Sequence, residues 1–301
     1  MKTWGRSRLT MLLLLVVAWT APAYADDKRC ATPILAMTYN IRLDTETDGE
    51  NGWPYRRDFL IGQIEMLRPA LLGMQEVLPN QRADLQSALA GYVFVGGGRD
   101  DGKRAGEAAP IAIDRRIFRI ESSGTFWLSP TPSLPSTGWD AAYPRIVTWA
   151  RLRHRQGNTR ILAVNTHWDH VGRQARTESG RQLARWLQDI RTSKDAVILL
   201  GDYNTGTDDP AIADMLEVTG LRSAEYSAST MDTDEQPSTF NRFEVQPPAG
   251  LVIDHIFVSK NVAVRRSMVL AQHLNGRVAS DHFPFAALLG ITPTQQGKGC
   301  T

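Results

Sequence analysis

The stretch Val197-Ile198-Leu199-Leu200-Gly201-Asp202-Tyr203-Asn204 runs from four branched apolar residues straight into a glycine, an acid and an amide. Such a continuous apolar run suits a strand buried on both faces, as found in sheets covered by other layers. An acid at the end of that strand sits where rigid scaffolds present reacting groups. Just upstream, residues 175–191 place Leu183, Trp186, Leu187 and Ile190 on one stripe, with arginines and glutamates elsewhere. That is an amphipathic helix. Before it comes a second apolar run, 161–165, so strand, helix and strand follow one another.

Working outward, further short apolar runs occupy 34–41, 70–74, 92–95, 110–113, 146–152, 251–258 and 283–289. Residues 56–67, 79–89 and 208–218 have helical spacing. Pro79 stands in the first turn of the second, and Asp208 or Asp209 can cap the third. The alternation, with hairpin-like neighbours in the middle and near the end, predicts an α/β fold of stacked sheets with helices outside. Residues 96–107, 129–138 and 226–250 are long loops, which in compact domains often carry function.

The chain has 301 residues, 42% apolar and 22% charged, with 24 Gly and 16 Pro. This composition excludes disorder, collagen and coiled coil for the chain as a whole. Lys2, Arg6 and Arg8 precede a short apolar run, 11–19, and Ala23-Tyr24-Ala25 follows. That is the pattern of a secretory signal peptide over 1–25, cleaved after Ala25. Residues 26–301 are then expected as one catalytic domain, monomeric, without a transmembrane segment, in the periplasm or outside the cell. Removing 1–25 moves the formal charge from +2 to −1, which gives no support for a broad nucleic-acid footprint. The two cysteines, Cys30 and Cys300, stand near the ends of the mature chain. In an oxidising compartment they are expected to pair, with two free thiols as the alternative.

Polar residues gather at the ends of the apolar runs. They are Tyr39-Asn40, Gln75-Glu76, Gly106-Glu107 ahead of Pro110-Ile111, Asn165-Thr166-His167, Gly201-Asp202-Tyr203-Asn204, Ile253-Asp254-His255 and Ser280-Asp281-His282-Phe283-Pro284. Each alone reads as a turn or cap. Together, histidines beside acids and hard oxygen donors form the parts for divalent-metal hydrolysis. No Cys/His zinc pattern is present.

In this order the motifs resemble the endonuclease/exonuclease/phosphatase superfamily over about residues 33–290. Residues 138–149 are similar to an exported bacterial branch of it. The resemblance implies a four-layered α/β sandwich, two packed mixed β-sheets flanked by helices. It implies a metal-dependent phosphoesterase using Mg²⁺, with Mn²⁺ or Ca²⁺ as alternatives. Glu76 matches the main metal carboxylate, Asn40 the amide holding the metal site or phosphate, and Asp281 a further ligand. Asp202 matches the acid that orients or deprotonates water, and Asn204 a partner of the phosphate oxygen. His282, paired with Asp254, and His167, oriented by Glu107, match the histidines at the phosphate. Imidazolium at both positions would oppose the charge that builds there.

The fold class hosts many substrates. A phosphodiester or other phosphorylated molecule is the expected substrate, a secreted nuclease the first alternative, and an inactive binding module the second. Arg145 is a candidate phosphate contact or a loop arginine. Trp168, Asp169 and His170 are candidates to line the substrate site, with bracing of His167 as the alternative for Asp169 and His170. Trp127, Trp139 and Trp168 either stack on bases or sugars or pack in the core. His154 and His255 are read as structural.

Overall fold

The computed structural model describes residues 32–225, 237–248, 250 and 252–291. The expected signal peptide and both cysteines lie outside the described residues. Among the described residues twelve strands form two six-stranded sheets. In the first, the order is β11 (Val262–Val269), β12 (Phe285–Ile291), β1 (Thr32–Asn40), β2 (Leu71–Gln75), β4 (Ile111–Asp114) and β3 (Tyr92–Val95). In the second it is β5 (Phe118–Trp127), β6 (Ile146–His154), β7 (Arg160–His167), β8 (Asp195–Asp202), β10 (Asp254–Val258) and β9 (Arg222–Ser223). Each sheet has one parallel pair at its centre, β1/β2 and β7/β8, and is antiparallel elsewhere. A helix makes each parallel crossover: α1 (Trp53–Leu67) and α3 (Arg173–Ile190). Two shorter helices, α2 (Pro79–Ala88) and α4 (Pro210–Thr219), complete the outer layers.

Strand alternation builds the four layers. In β8, Ala196, Ile198 and Leu200 enter the core between the sheets, while Val197 and Leu199 face α3 and α4. In β1, Ile34 and Ala36 join the same central core, and Met37 and Tyr39 pack towards α1 with Leu60 and Ile64. The expected four-layered sandwich is therefore the arrangement found. Local signals end the helices as their chemistry requires. Asp209 accepts from the Ala211 N–H at 2.8 Å, Pro210 opens α4, and Gly220 closes it in the left-handed region at φ 64°.

Two long strands are absent from the apolar runs of the sequence, β5 and β11. Both lie at sheet edges and both carry an irregularity of register, between Ile120 and Ser122 and between Val264 and Arg266. An edge strand exposes one face, and a bulge shifts the two-residue period, so the pattern fades.

Candidate active site

The polar motifs meet at one end of the two sheets because the parallel pairs bring like ends together. Asn40 ends β1 opposite Gln75, and Glu76 follows at once. His167 ends β7 opposite Asp202, the last residue of β8. Asp254 opens the antiparallel β10, also opposite Asp202. His282 stands ahead of β12, held by a backbone bridge to Phe240.

Asn40 is fully buried and organises two carboxylates. Its Nδ2 donates to Glu76 Oε1 at 2.9 Å and to Asp202 Oδ2 at 3.0 Å, while its Oδ1 accepts from the Arg42 N–H. The amide nitrogen, not the oxygen, thus faces the acids. Glu76 also accepts from the Leu43 N–H at 3.0 Å. Glu76 and Asn204 adopt positive φ, 62° and 53°, a strained conformation common at functional sites. Asn204 spends its Nδ2 on the Trp168 carbonyl at 2.9 Å and its backbone N–H on Asp202 Oδ1.

The two histidines differ. His282 Nδ1 lies 2.8 Å from Asp254 Oδ2, and its Nε2 lies 3.8 Å from Asp202 Oδ2. Burial opposes charge on this ring, but Asp254, then Asp202 and Asp281, outweigh it and raise the pKa to about 10. His167 Nε2 lies 3.5 Å from the same Asp202 oxygen. Burial, then Arg145 and His282, push its pKa well below the ordinary value. His167 is thus neutral where His282 is charged, against the expectation of two imidazoliums. Burial and the Asp254 charge raise Asp202 to about 7, against the pull of His282 and the Asn40 amide.

Three expectations are corrected. Glu107 does not orient His167: its carboxylate pairs with Arg99 at 2.7 Å, and the acid beside His167 is Asp202. Trp168 cannot touch substrate, because it is fully buried and packs edge-on against Tyr203 at 4.8 Å. Asp169 is also buried and serves as a brace, accepting from the N–H groups of Ala142, Val171 and Gly172 and holding Arg145 Nε at 3.2 Å. Arg145 itself is set by that brace and by a 3.0 Å contact with His170 Nδ1. It lines a small niche with Glu76, Arg99, Glu107 and His167. His170 is exposed and stacks on Tyr143, over which Arg99 also lies. Trp127 is buried, with its Nε1 on the Arg99 carbonyl.

Arg56 is a residue that the sequence reading missed. It is buried on α1 and donates to the carbonyls of Ile41, Arg42, Leu43, Asn51 and Ala279. It thereby ties the loop after Asn40 to the segment before Asp281. The signal was a polar residue at helical spacing from Leu60 and Ile64, on the face that packs inward.

The donor chemistry fits a divalent cation. Asp202, Asp254 and His282 offer ligand atoms within 4.8 Å of one another. Nδ1 of His282 is committed to Asp254, however, and a protonated imidazole has no lone pair to give. Glu76 and Asp281 are the better hard-oxygen pair. Asp281 is buried and its pKa is raised, first by burial and, after the opposing effect of His282, by the Glu76 charge, which is a crowding that a cation relieves.

Similarity to known proteins agrees with this geometry. Residues 37–282 match the sequence profile of the Endonuclease/Exonuclease/phosphatase family. A mannosyl-6-phosphatase of Bacteroides thetaiotaomicron superposes with a TM-score of 0.81 at 32% identity, covering 85% of this chain and 99% of that one. A family protein from Bacteroides vulgatus gives 0.79 at 34%, covering 86% and 99%. An uncharacterized protein of Acanthamoeba polyphaga mimivirus is 24% identical over 245 residues, 77% of this chain and 90% of that one. Members of the family are phosphoesterases and generally depend on a metal. The chain belongs to the endonuclease/exonuclease/phosphatase family and is a phosphoester hydrolase.

Proposed function

We propose that the chain is an exported, Mg²⁺-dependent phosphoesterase that cleaves an accessible phosphate ester on a small sugar-like molecule. The observation that carries this reading is the convergence of Asp202, His167 and His282 beside Glu76 at one end of the two sheets. Glu76 and Asp281 would hold the ion, with Asn40 aligning Glu76 and Asp202. When bound, the cation supplies positive charge to the phosphate oxygens.

The chain's own groups do the rest. His282, charged and fixed by Asp254, donates from Nε2 to a nonbridging oxygen, where negative charge grows during attack. Asp202 accepts the proton of the attacking water as the P–O bond to the sugar breaks, and that proton passes on to the departing sugar oxygen, so that phosphate and the free alcohol leave. Neutral His167 hydrogen-bonds beside it, and Arg145, braced by Asp169, meets the phosphate from the niche.

A sugar phosphate is placed ahead of the phosphodiester expected from sequence because a relative at 32% identity is a mannosyl-6-phosphatase. A nuclease gains little support, since of the three candidate stacking tryptophans Trp127 and Trp168 are buried and Trp139 keeps only partial exposure. The test is turnover of mannose 6-phosphate, p-nitrophenyl phosphate, bis-p-nitrophenyl phosphate and single-stranded DNA, with Mg²⁺ and with EDTA. Mannose 6-phosphate should be turned over only with the metal. Turnover confined to DNA, or full activity in EDTA, would overturn the reading.

A further inference from the structure

A concavity of about 310 Å³ adjoins the catalytic niche, and Ala108 lines both. It lies between the start of α2 and the loop 96–107. Val77 and Pro79, just beyond Glu76, form part of its wall. Three cations line it, Arg82, Lys103 and Arg104, and no carboxylate does.

Arg82 is half-buried, and its guanidinium donates only to main-chain carbonyls, those of Gly96 and Phe94. Burial, then the nearby Arg104 charge, lowers its pKa. Lys103 and Arg104 are exposed, and among the described residues none of the three has an ion pair. Asp101, on the same loop, turns its Oδ1 to the N–H groups of Lys103 and Ala105 and attracts the Lys103 charge without pairing with it. A half-buried cation without an anion is costly, and adding two more cations beside it raises that cost. The positive end of α2 adds to the field.

The loop that carries the charges is built. Gly98 N–H reaches the Lys103 carbonyl, Asp100 N–H the Ala105 carbonyl and Arg99 N–H the Glu107 carbonyl. A Cβ at Gly97 or Gly98 would strike the backbone across this loop. The last of these bonds ties the cationic loop to Glu107, which lines the niche.

We propose that this concavity receives a second anionic group of the substrate, so that the preferred substrate is a small bis-phosphorylated sugar. This rests on the sugar-phosphatase reading above. The volume is that of a small-molecule site. The expected mature charge of −1 and the buried Trp127 and Trp168 favour a compact ligand over a polymer.

The test compares binding of mannose 1,6-bisphosphate and mannose 6-phosphate by calorimetry, in Mg²⁺ buffer, to the Asp202→Asn protein. The bisphosphate should bind about tenfold tighter, as expected for one added charge-assisted contact. Lys103→Ala with Arg104→Ala, both changes of exposed side chains, should bring that ratio close to one. Lys103→Arg with Arg104→Lys should restore it. Equal binding of the two sugars by the Asp202→Asn protein, or a ratio that survives loss of both charges, overturns the proposal. So does a 5′-phosphorylated oligonucleotide that loses affinity in the alanine pair while the bisphosphate does not. Failure of the underlying reading shows separately, as no turnover of mannose 6-phosphate by the unsubstituted protein.

Discussion

Asp202 is within 4 Å of both histidines, yet the two rings carry different charge, and the difference comes from their other neighbours. His282 has Asp254 at 2.8 Å, whereas His167 has the Arg145 charge nearby. Replacing Asp254 by Asn removes the charge that holds His282 near pKa 10. The alkaline limb of the pH–rate profile should then move to lower pH by at least one unit; an unmoved limb would show that the imidazolium is not required. Asp202 offers a stability test. Its folded pKa, about 7, is raised above the ordinary carboxylate value. Its contribution is therefore fully present below about pH 4 and lost as pH rises to 7. Asp202→Asn should lose turnover but unfold later than the parent at pH 8 in EDTA, by roughly 2–4 kcal/mol, with no gain at pH 3.5. Denaturant titration at the two pH values checks this.

At the scale of elements, the site depends on how closely the sheets approach. Gln75 Nε2 donates to Asn165 Oδ1 at 2.7 Å and to Thr38 Oγ1 at 3.0 Å, and Asn165 Nδ2 donates to the carbonyls of Met74 and Pro110. This buried network joins β2 to β7 beneath the reacting groups. Gly73 makes room for it, since a Cβ there would lie 2.6 Å from Asn165 Oδ1. Gly73→Ala should cost about 1–3 kcal/mol and reduce kcat, because the sheets separate or the network breaks. Arg56→Leu should cost about 3 kcal/mol by leaving several buried carbonyls without a donor. It should also loosen the Asn40–Leu43 segment, which amide exchange would detect. Thermal melts that match the parent for both variants would refute this account. Residues 175–191 were legible as a helix because their apolar stripe faces a sheet. The edge strands β5 and β11 were not, because bulges and exposed faces erase the period.

For the whole molecule, the expected export and the terminal cysteines go together. If residues 1–25 are removed, Cys30 and Cys300 stand near the two ends of the remaining sequence. A bridge between them would be worth about 5–6 kcal/mol on the chain-entropy view. Intact mass of exported protein should show a chain beginning at Asp26 and no free thiol. A retained leader or two alkylatable thiols would speak against both. Among the described residues no helix is long and apolar enough to cross a membrane.

The sequence by itself determined the strand–helix–strand order, the layered class and the identities of the residues at the strand ends. Those features are local: an apolar run, a helical stripe or a motif such as Gly201-Asp202-Tyr203-Asn204 is read within a few residues. It did not determine which of those residues face one another. Glu107 meets Arg99 rather than His167, Trp168 is sealed beneath the site, and Asp169 braces Arg145. Nor did it show that Arg56 links two loops separated by more than two hundred residues. Charge states followed the same rule, since His167 and His282 have the same intrinsic chemistry. Both rings are buried beside Asp202, and only the folded arrangement gives His282 a second carboxylate and His167 an arginine, because desolvation and Coulomb forces act through space.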